Sequence, residues 1–411
     1  MRFIESAPAF PMKLRNQLLA LFCLLIFVAI GVLYFQVWVV QKHFGIVVFL
    51  SDGMVARHLT AARLYEGGAD HRLALDSFPY SALVANSARD FAVPDAAAAA
   101  TALATGVRVN HRNVAFDYRG QPLRTLLEIA KAQGRTVGLV TNAQLTDPAP
   151  AAFYAHLADA RDAEGIAAQL VDTARIDVLL GGGVRNFLPA GERGRRKDGR
   201  DLLAEMQRKG CEMVWTKADL ENAAIYREGG IAGVFTPGAM AFSDEIESGS
   251  QQPSLSDMVR RAIEFLQVNS GGYLLIVDAG LVTEAAERNQ GERTISETLA
   301  MDRAIATAVK YAGDESLIVA VGKHGIGGLT LNGYPLRQDH GVALLGTTAS
   351  GYPSLTWATG PASGNEPAAY QTASALNTAE DVIAAAKGPG AEKFHGFLDS
   401  TAIFDLLRDA L

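Results

Sequence analysis

Residues 18–40 carry no charge, and only Gln36 interrupts their apolar run. As a helix rising ~1.5 Å per residue, such a run extends about 35 Å and can cross the ~30 Å hydrocarbon core of a bilayer. A chain that begins this way must place its remaining residues on one side of a membrane. Arg2, Lys13 and Arg15 precede the run and Lys42 is the first charge after it, while Tyr34 and Trp38 stand where an interfacial belt would form. This charge bias predicts a cytoplasmic segment 1–15, a single-pass transmembrane anchor over 16–41, and the bulk, 44–411, in the periplasm or outside the cell. A cleaved signal peptide would have a shorter apolar core, and Tyr34-Phe35-Gln36 offers no small residues for cleavage.

Charge excludes one class of partner. With 37 Lys+Arg against 44 Asp+Glu the formal net charge is -7, so no global basic field draws the chain onto nucleic acid. Cys23 lies within the apolar run and Cys211 stands alone beyond it, so no intramolecular disulfide is expected. Hydrophobic residues at 49%, charged residues at 20% and 40 glycines fit a folded α/β protein rather than a disordered or coiled-coil one.

The pattern beyond residue 43 supports that class. Residues 44–50 form an apolar, β-branched run that ends at Ser51-Asp52-Gly53. Helix and strand patterns then alternate: 122–133 with 136–140, 166–174 with 177–180, 255–268 with 273–278, and 294–310 with 317–321, before a closing helix over 400–411. Alternation of this kind predicts an α/β fold with a mostly parallel central sheet and helices on both faces. The segment 329–334 reads as a hairpin on an Asn332-Gly333 turn, with Pro335 confining its second strand to an edge.

Ligands of open parallel sheets bind beyond the carboxyl ends of the strands. Asp52, Asp95, residues 142–147, Asp278 and Lys323-His324 are therefore the positions to inspect. Three carboxylates and a histidine could hold a metal, although each alone reads equally well as a helix cap or turn residue. Several stretches together then resemble the alkaline phosphatase family: Phe49-Leu50-Ser51-Asp52-Gly53-Met54, Thr60-Ala61-Ala62-Arg63, Val93-Pro94-Asp95, Thr105-Gly106-Val107, Pro150-Ala151-Ala152-Phe153-Tyr154-Ala155-His156, Leu180-Gly181-Gly182-Gly183, Thr356-Trp357-Ala358-Thr359-Gly360 and Gly388-Pro389-Gly390-Ala391-Glu392-Lys393-Phe394. The resemblance covers nearly all of 44–411 in order.

It implies a phosphomonoester hydrolase with a serine nucleophile, two zinc ions, one magnesium ion and a phosphate-binding arginine. The serine would follow Val93-Pro94-Asp95, where this chain has Ala96; Thr101 stands about 7.5 Å further up a helix and cannot replace it. One zinc site falls on Thr283, Glu287 and Asn377, which include no imidazole. The second falls on Asp52 and on Lys323-His324, where an ammonium stands at a ligand position. The magnesium site keeps Asp52 and Asp147, has Asp278 in place of a glutamate, and has Ala149 where a hydroxyl is needed. The arginine position is Ala160, and Arg161, one residue on, would leave a helix about 100° away. Val55 replaces a glycine after Met54.

The resemblance thus implies a membrane-anchored pseudo-phosphatase, without bound metal, acting as a binding or structural subunit of an envelope complex with a protein partner or a second copy of itself. The alternative keeps Asp52, Asp147, Asp278 and His324 as a reduced metal site serving a phosphomonoester hydrolase. Lys323 is expected to supply the missing positive charge, within salt-bridge reach of Asp52 or another site carboxylate. His58, His71, His111, His156 and His340 read as surface or second-layer groups, and Gly181-Gly182-Gly183 as a turn rather than a phosphate cradle. Arg193-Gly194-Arg195-Arg196-Lys197 reads as a solvated loop, with contact to an acidic partner as its functional alternative.

Overall fold

The computed structural model describes residues 12–34, 44–51, 53–225, 229–333 and 335–411. The chain divides into two units, Met1–Lys42 and His43–Leu411. In the first, Met12–Tyr34 forms a helix, and Lys13–Tyr34 is long and apolar enough to cross a membrane. It starts ahead of the expected anchor boundary because Met12, Lys13 and Arg15 continue the helical run without a breaker. The expected stretch 35–41 lies outside the described residues.

Among the described residues the second unit has fifteen strands: β1 (Gly45–Ser51), β2 (Tyr80–Ala85), β3 (Thr136–Gln144), β4 (Val178–Gly182), β5 (Glu212–Val214), β6 (Ile231–Val234), β7 (Tyr273–Asp278), β8 (Leu317–Gly322), β9 (Gly325–Ile326), β10 (Thr330–Leu331), β11 (Leu355–Gly360), β12 (Ala368–Gln371), β13 (Asn377–Thr378), β14 (Val382–Lys387) and β15 (Gly396–Asp399). Ten of them form one sheet in the order β15-β2-β14-β8-β1-β7-β3-β4-β6-β5. Every pairing from β8 to β5 is parallel, whereas β14 runs antiparallel to both β8 and β2. The expected mostly parallel α/β sheet is thus the fold.

Side chains of β1 alternate between two cores. Ile46, Val48 and Leu50 pack with Leu103, Leu127, Ile166 and Ile403 on one face. Val47 and Phe49 pack with Val259, Ile263, Ile295 and Ile305 on the other. The first face is covered by helices Ala96–Thr105, Leu126–Ala132, Ala163–Asp172 and Ser400–Ala410, the second by Ala56–Gly67, Leu255–Leu266 and Gly291–Ala312. Burial on both faces explains why these strands read as unbroken apolar runs.

Four local expectations are corrected. The helix expected from residue 122 begins at Leu126, because Thr125 and Glu128 form a capping box and Leu123 bonds back to the Ala115 carbonyl. No hairpin forms at 329–334 among the described residues: β10 pairs with the distant β11, and Asn332 donates its amide N–H to Ser354 and its side chain to Pro353 and Thr356. Ala160 and Arg161 lie in a turn rather than a helix. Arg196, expected in a solvated loop, is buried, with its guanidinium held by Asp198 and by the carbonyls of Glu164 and Asn186.

The glycine run at the end of β4 is explained by close approach. A Cβ at Gly181 would meet Thr141 and Leu145, and one at Gly182 would run into the carbonyl oxygens of Gly238 and Ala143. Gly183, at φ 104°, then turns the chain out of the strand. Gly182→Ala should therefore lower unfolding stability by about 1–3 kcal/mol, measured as a reduced midpoint in urea denaturation; an unchanged midpoint would mean that the backbone around Gly238 yields.

Candidate functional site

The four central strands β8, β1, β7 and β3 are neighbours, and their registers align Leu50 with Asp278, Ser51 with Gly322, and Thr141 with Asp278. Their carboxyl ends thus gather Lys323, Asp278 and Thr141 around the turn after Ser51. The backbone fixes that turn as well, because Lys323 N donates to Ser51 O at 2.9 Å and Gly53 N donates to His324 O at 3.0 Å. Asp52 itself lies outside the described residues.

Lys323 Nζ lies 2.8 Å from Asp278 Oδ1, and both side chains are 2% exposed. Thr141 Oγ1 donates to the other carboxylate oxygen of Asp278 at 2.9 Å and accepts from Ala143 N at 3.0 Å. Asn86 Nδ2 donates to the Lys323 carbonyl at 2.6 Å, which fixes the backbone that carries the ammonium. Lys323 thus reaches a site carboxylate as expected, and among the described residues that carboxylate is Asp278.

Asp147 follows the end of β3. Its oxygens accept from Gln144 N at 2.9 Å and Gln144 Nε2 at 3.1 Å. Burial, reinforced by the negative charges of Asp278 and Glu284, pushes its carboxyl up to about 7 against the pull of the Gln144 N–H and the Lys323 charge. Ala149 is buried in the short helix Pro148–Ala151 and presents only a methyl group. His324 is buried, with Nδ1 3.1 Å from the Gly325 carbonyl oxygen.

The remaining positions form a second group. Asn377 in β13 pairs with Ile326 of β9, and its Nδ2 donates to the Pro94 carbonyl at 2.9 Å, just ahead of Ala96. Glu287 and Thr283 lie on helix Leu281–Glu287, and the Glu287 carbonyl accepts from Ala375 N, two residues before Asn377. Ala96 is the first residue of helix Ala96–Thr105, capped by Asp95, which accepts from Ala98 N at 2.9 Å and Arg112 N at 2.7 Å. Thr101 is buried on the same helix, its hydroxyl donating to Asn113 O and accepting from Ala115 N, so it is committed to the backbone there. Ala160 N donates to Arg112 O, while Arg161 is exposed and bonds Asp159.

Three residues have roles that the sequence does not assign them, although Gln144 falls within the inspected span 142–147. Thr141 and Gln144 orient the two carboxylates, and the signal for the first is a hydroxyl directly after the apolar run 137–140. His58, expected at the surface or behind the site, is fully buried with its ring against Gly53, where a Cβ would lie 2.7 Å from Nδ1. It lies on the first turn of helix Ala56–Gly67, which follows β1 closely in the chain.

The described residues of the site do not fit the family's metals. Zinc wants imidazole, thiolate or carboxylate donors in tetrahedral array, whereas of the three positions only Glu287 offers one; Thr283 and Asn377 offer a hydroxyl and an amide, and Asn377 Nδ2 already donates to the Pro94 carbonyl. At the neighbouring position both oxygens of Asp278 are engaged, one by an ammonium. Two unit charges ~4 Å apart repel by about 4 kcal/mol at an effective dielectric of ~20, and a divalent ion beside Lys323 would meet about twice that. Among the described residues, no three His, Cys, Asp or Glu side chains converge as a metal site requires.

Residues 44–353 match the alkaline phosphatase family model. The chain is 30% identical to the tissue-nonspecific alkaline phosphatase of Gallus gallus, over 86% of this chain and 81% of that one. For the Homo sapiens isozyme the identity is 28% over 86% and 80%. Among solved structures, the alkaline phosphatase of Thermus thermophilus superposes with a TM-score of 0.75 at 24% identity, covering 90% of this chain and 92% of that one. That of the Antarctic bacterium TAB5 superposes with a TM-score of 0.74 at 21%, covering 90% and 98%.

Because the Asp147 carboxyl is raised, the folded chain holds a proton that the unfolded chain releases near pH 4. Its contribution to stability is full below that pH and is lost as pH rises through about 7. With a chelator present, urea midpoints recorded from pH 4 to 8 should therefore decline more steeply for the native chain than for Asp147→Asn; parallel curves would place the Asp147 carboxyl near its ordinary value.

Proposed function

Because the chain belongs to the alkaline phosphatase family, we propose that it is a member without phosphatase chemistry, held in a membrane by its N-terminal helix and serving as a binding or structural subunit of an envelope complex. The observation that carries this reading is Ala96. The family's nucleophile position falls at the start of a correctly capped helix, where backbone N–H groups and the helix dipole favour phosphate, and it presents a methyl group. No bond to phosphorus can form there. The nearest hydroxyl on the helix is committed to Asn113 and Ala115.

Other losses act on the same reaction. Ala160 stands where the resemblance places the phosphate clamp, and the lysine beside Asp278 stands where it places a zinc ligand. Covalent and metal-ion catalysis supply much of such a rate enhancement. The fold is nevertheless the family's, superposing with a TM-score of 0.75, so the preserved property is shape. A retained shape on a membrane anchor suits docking to a protein neighbour or a second copy.

The full chain in detergent, given an aryl phosphate with zinc and magnesium, should show no turnover above buffer, and Ala96→Ser alone should not create it. Turnover within a few hundred-fold of an ordinary enzyme's ~10 per second would overturn this reading in favour of a hydrolase using Asp52, Asp147, Asp278 and His324. In intact cells, a protease added outside should cleave the 44–411 unit and spare a tag at the N-terminus. The reverse pattern would place the bulk in the cytoplasm.

A further inference from the structure

We infer that Lys323 is the resident cation of this site: it makes the fold's stability independent of divalent metal, and its exchange would return the carboxylates beneath it to metal dependence. The inference deepens the proposed function and rests on it for the identity of the site. Its grounds are geometric. The ammonium is buried 2.8 Å from Asp278 Oδ1, Thr141 satisfies Oδ2, and Asn86 and Ser51 hold the Lys323 backbone. With its backbone held at both ends and its side chain 2% exposed, the charge does not swing to solvent as an exposed lysine would.

The carboxylates dictate the need. Parallel registers force Asp278 to the edge of the sheet whatever its neighbours are, and Asp147 sits close enough to feel its charge. Buried carboxylates without a counter-ion repel one another and lose solvation. A metal ion can cancel that charge, and so can an ammonium. The ammonium is covalently attached and therefore always present, whereas a metal must be bound from solution. It also demands no coordination geometry, which explains how Ala149 and the neutral groups at Thr283 and Asn377 are tolerated nearby.

Thermal unfolding of the full chain in detergent micelles tests this. For the native chain, Tm in EDTA and Tm in millimolar Mg2+ or Zn2+ should agree within about 1 °C. Lys323→Met keeps the length and removes the charge, and it should lower Tm in EDTA by about 5–10 °C, with part of the loss restored by Mg2+. Lys323→Asp should make Tm rise steeply with added Mg2+ or Zn2+. Lys323→Arg, which keeps the charge, should remain metal-insensitive and guards against a Lys323→Met chain that fails to fold. A native chain that loses several degrees in EDTA, or a Lys323→Met chain that is neither destabilised nor metal-responsive, would overturn the inference. Metal-insensitive stability together with phosphatase turnover would remove the reading of a silent phosphatase and leave this inference standing. Metal-dependent stability without turnover would do the reverse.

Discussion

Parallel registers are what everything at the site depends on. β8, β1, β7 and β3 are buried on both faces, and a slip of one residue in any of them would carry an entire apolar set into the opposite core. The strand ends are therefore as fixed as the strand centres. Asp278 faces the end of β1 because Tyr273 faces Gly45 five residues earlier, and Lys323 follows Gly322, which is locked to Ser51. The scaffold delivers whichever side chains occupy those ends to one small volume. Substitutions there change chemistry without changing geometry, which is how one fold can host different functions.

Given that delivery, the local problem is charge balance in a space water hardly reaches. A buried ion pair is at best a small net gain over apolar packing, but an unpaired buried carboxylate is a large loss. Lys323 is a solution to the second problem more than a source of the first. The Thr141 hydroxyl takes the remaining side of Asp278, and Gln144 performs the same service for Asp147 through its backbone and side chain. Each carboxylate thus carries its own retinue. The shortening from glutamate to aspartate at 278 fits a partner as long as lysine, since the reach lost by one side chain is supplied by the other.

The sequence is most legible where structure is local or strictly periodic. Strand β7 reads to its ends and β1 and β8 to within a residue, because parallel strands covered on both faces appear as continuous apolar runs. Strands β2, β14 and β15 do not stand out, since they lie at one side of the sheet and owe their pairing to segments hundreds of residues away. The turn at Asn332-Gly333 has the right residues for a hairpin, yet Asn332 spends its donors on Ser354, Pro353 and Thr356. At the site, residue types at motif positions are readable, but the choice of partner for Lys323 and the burial of His58 depend on how neighbouring strand ends and a helix start converge. Spacing along the chain does not encode that convergence.

The hydrogen bond from Asn377 to the Pro94 carbonyl joins residues 283 apart in sequence. Closing a loop of that length costs roughly 5 kcal/mol in chain entropy before any constant term, and a neutral hydrogen bond returns about 1 kcal/mol. The contact cannot pull its two ends together; it forms only after the intervening strands have done so. In kinetic terms the rim around Ala96 is a follower, assembled on a sheet edge that must already exist. Because its clasp is made of two groups on the same chain, the step that closes it is intramolecular, and its timing follows that of the sheet.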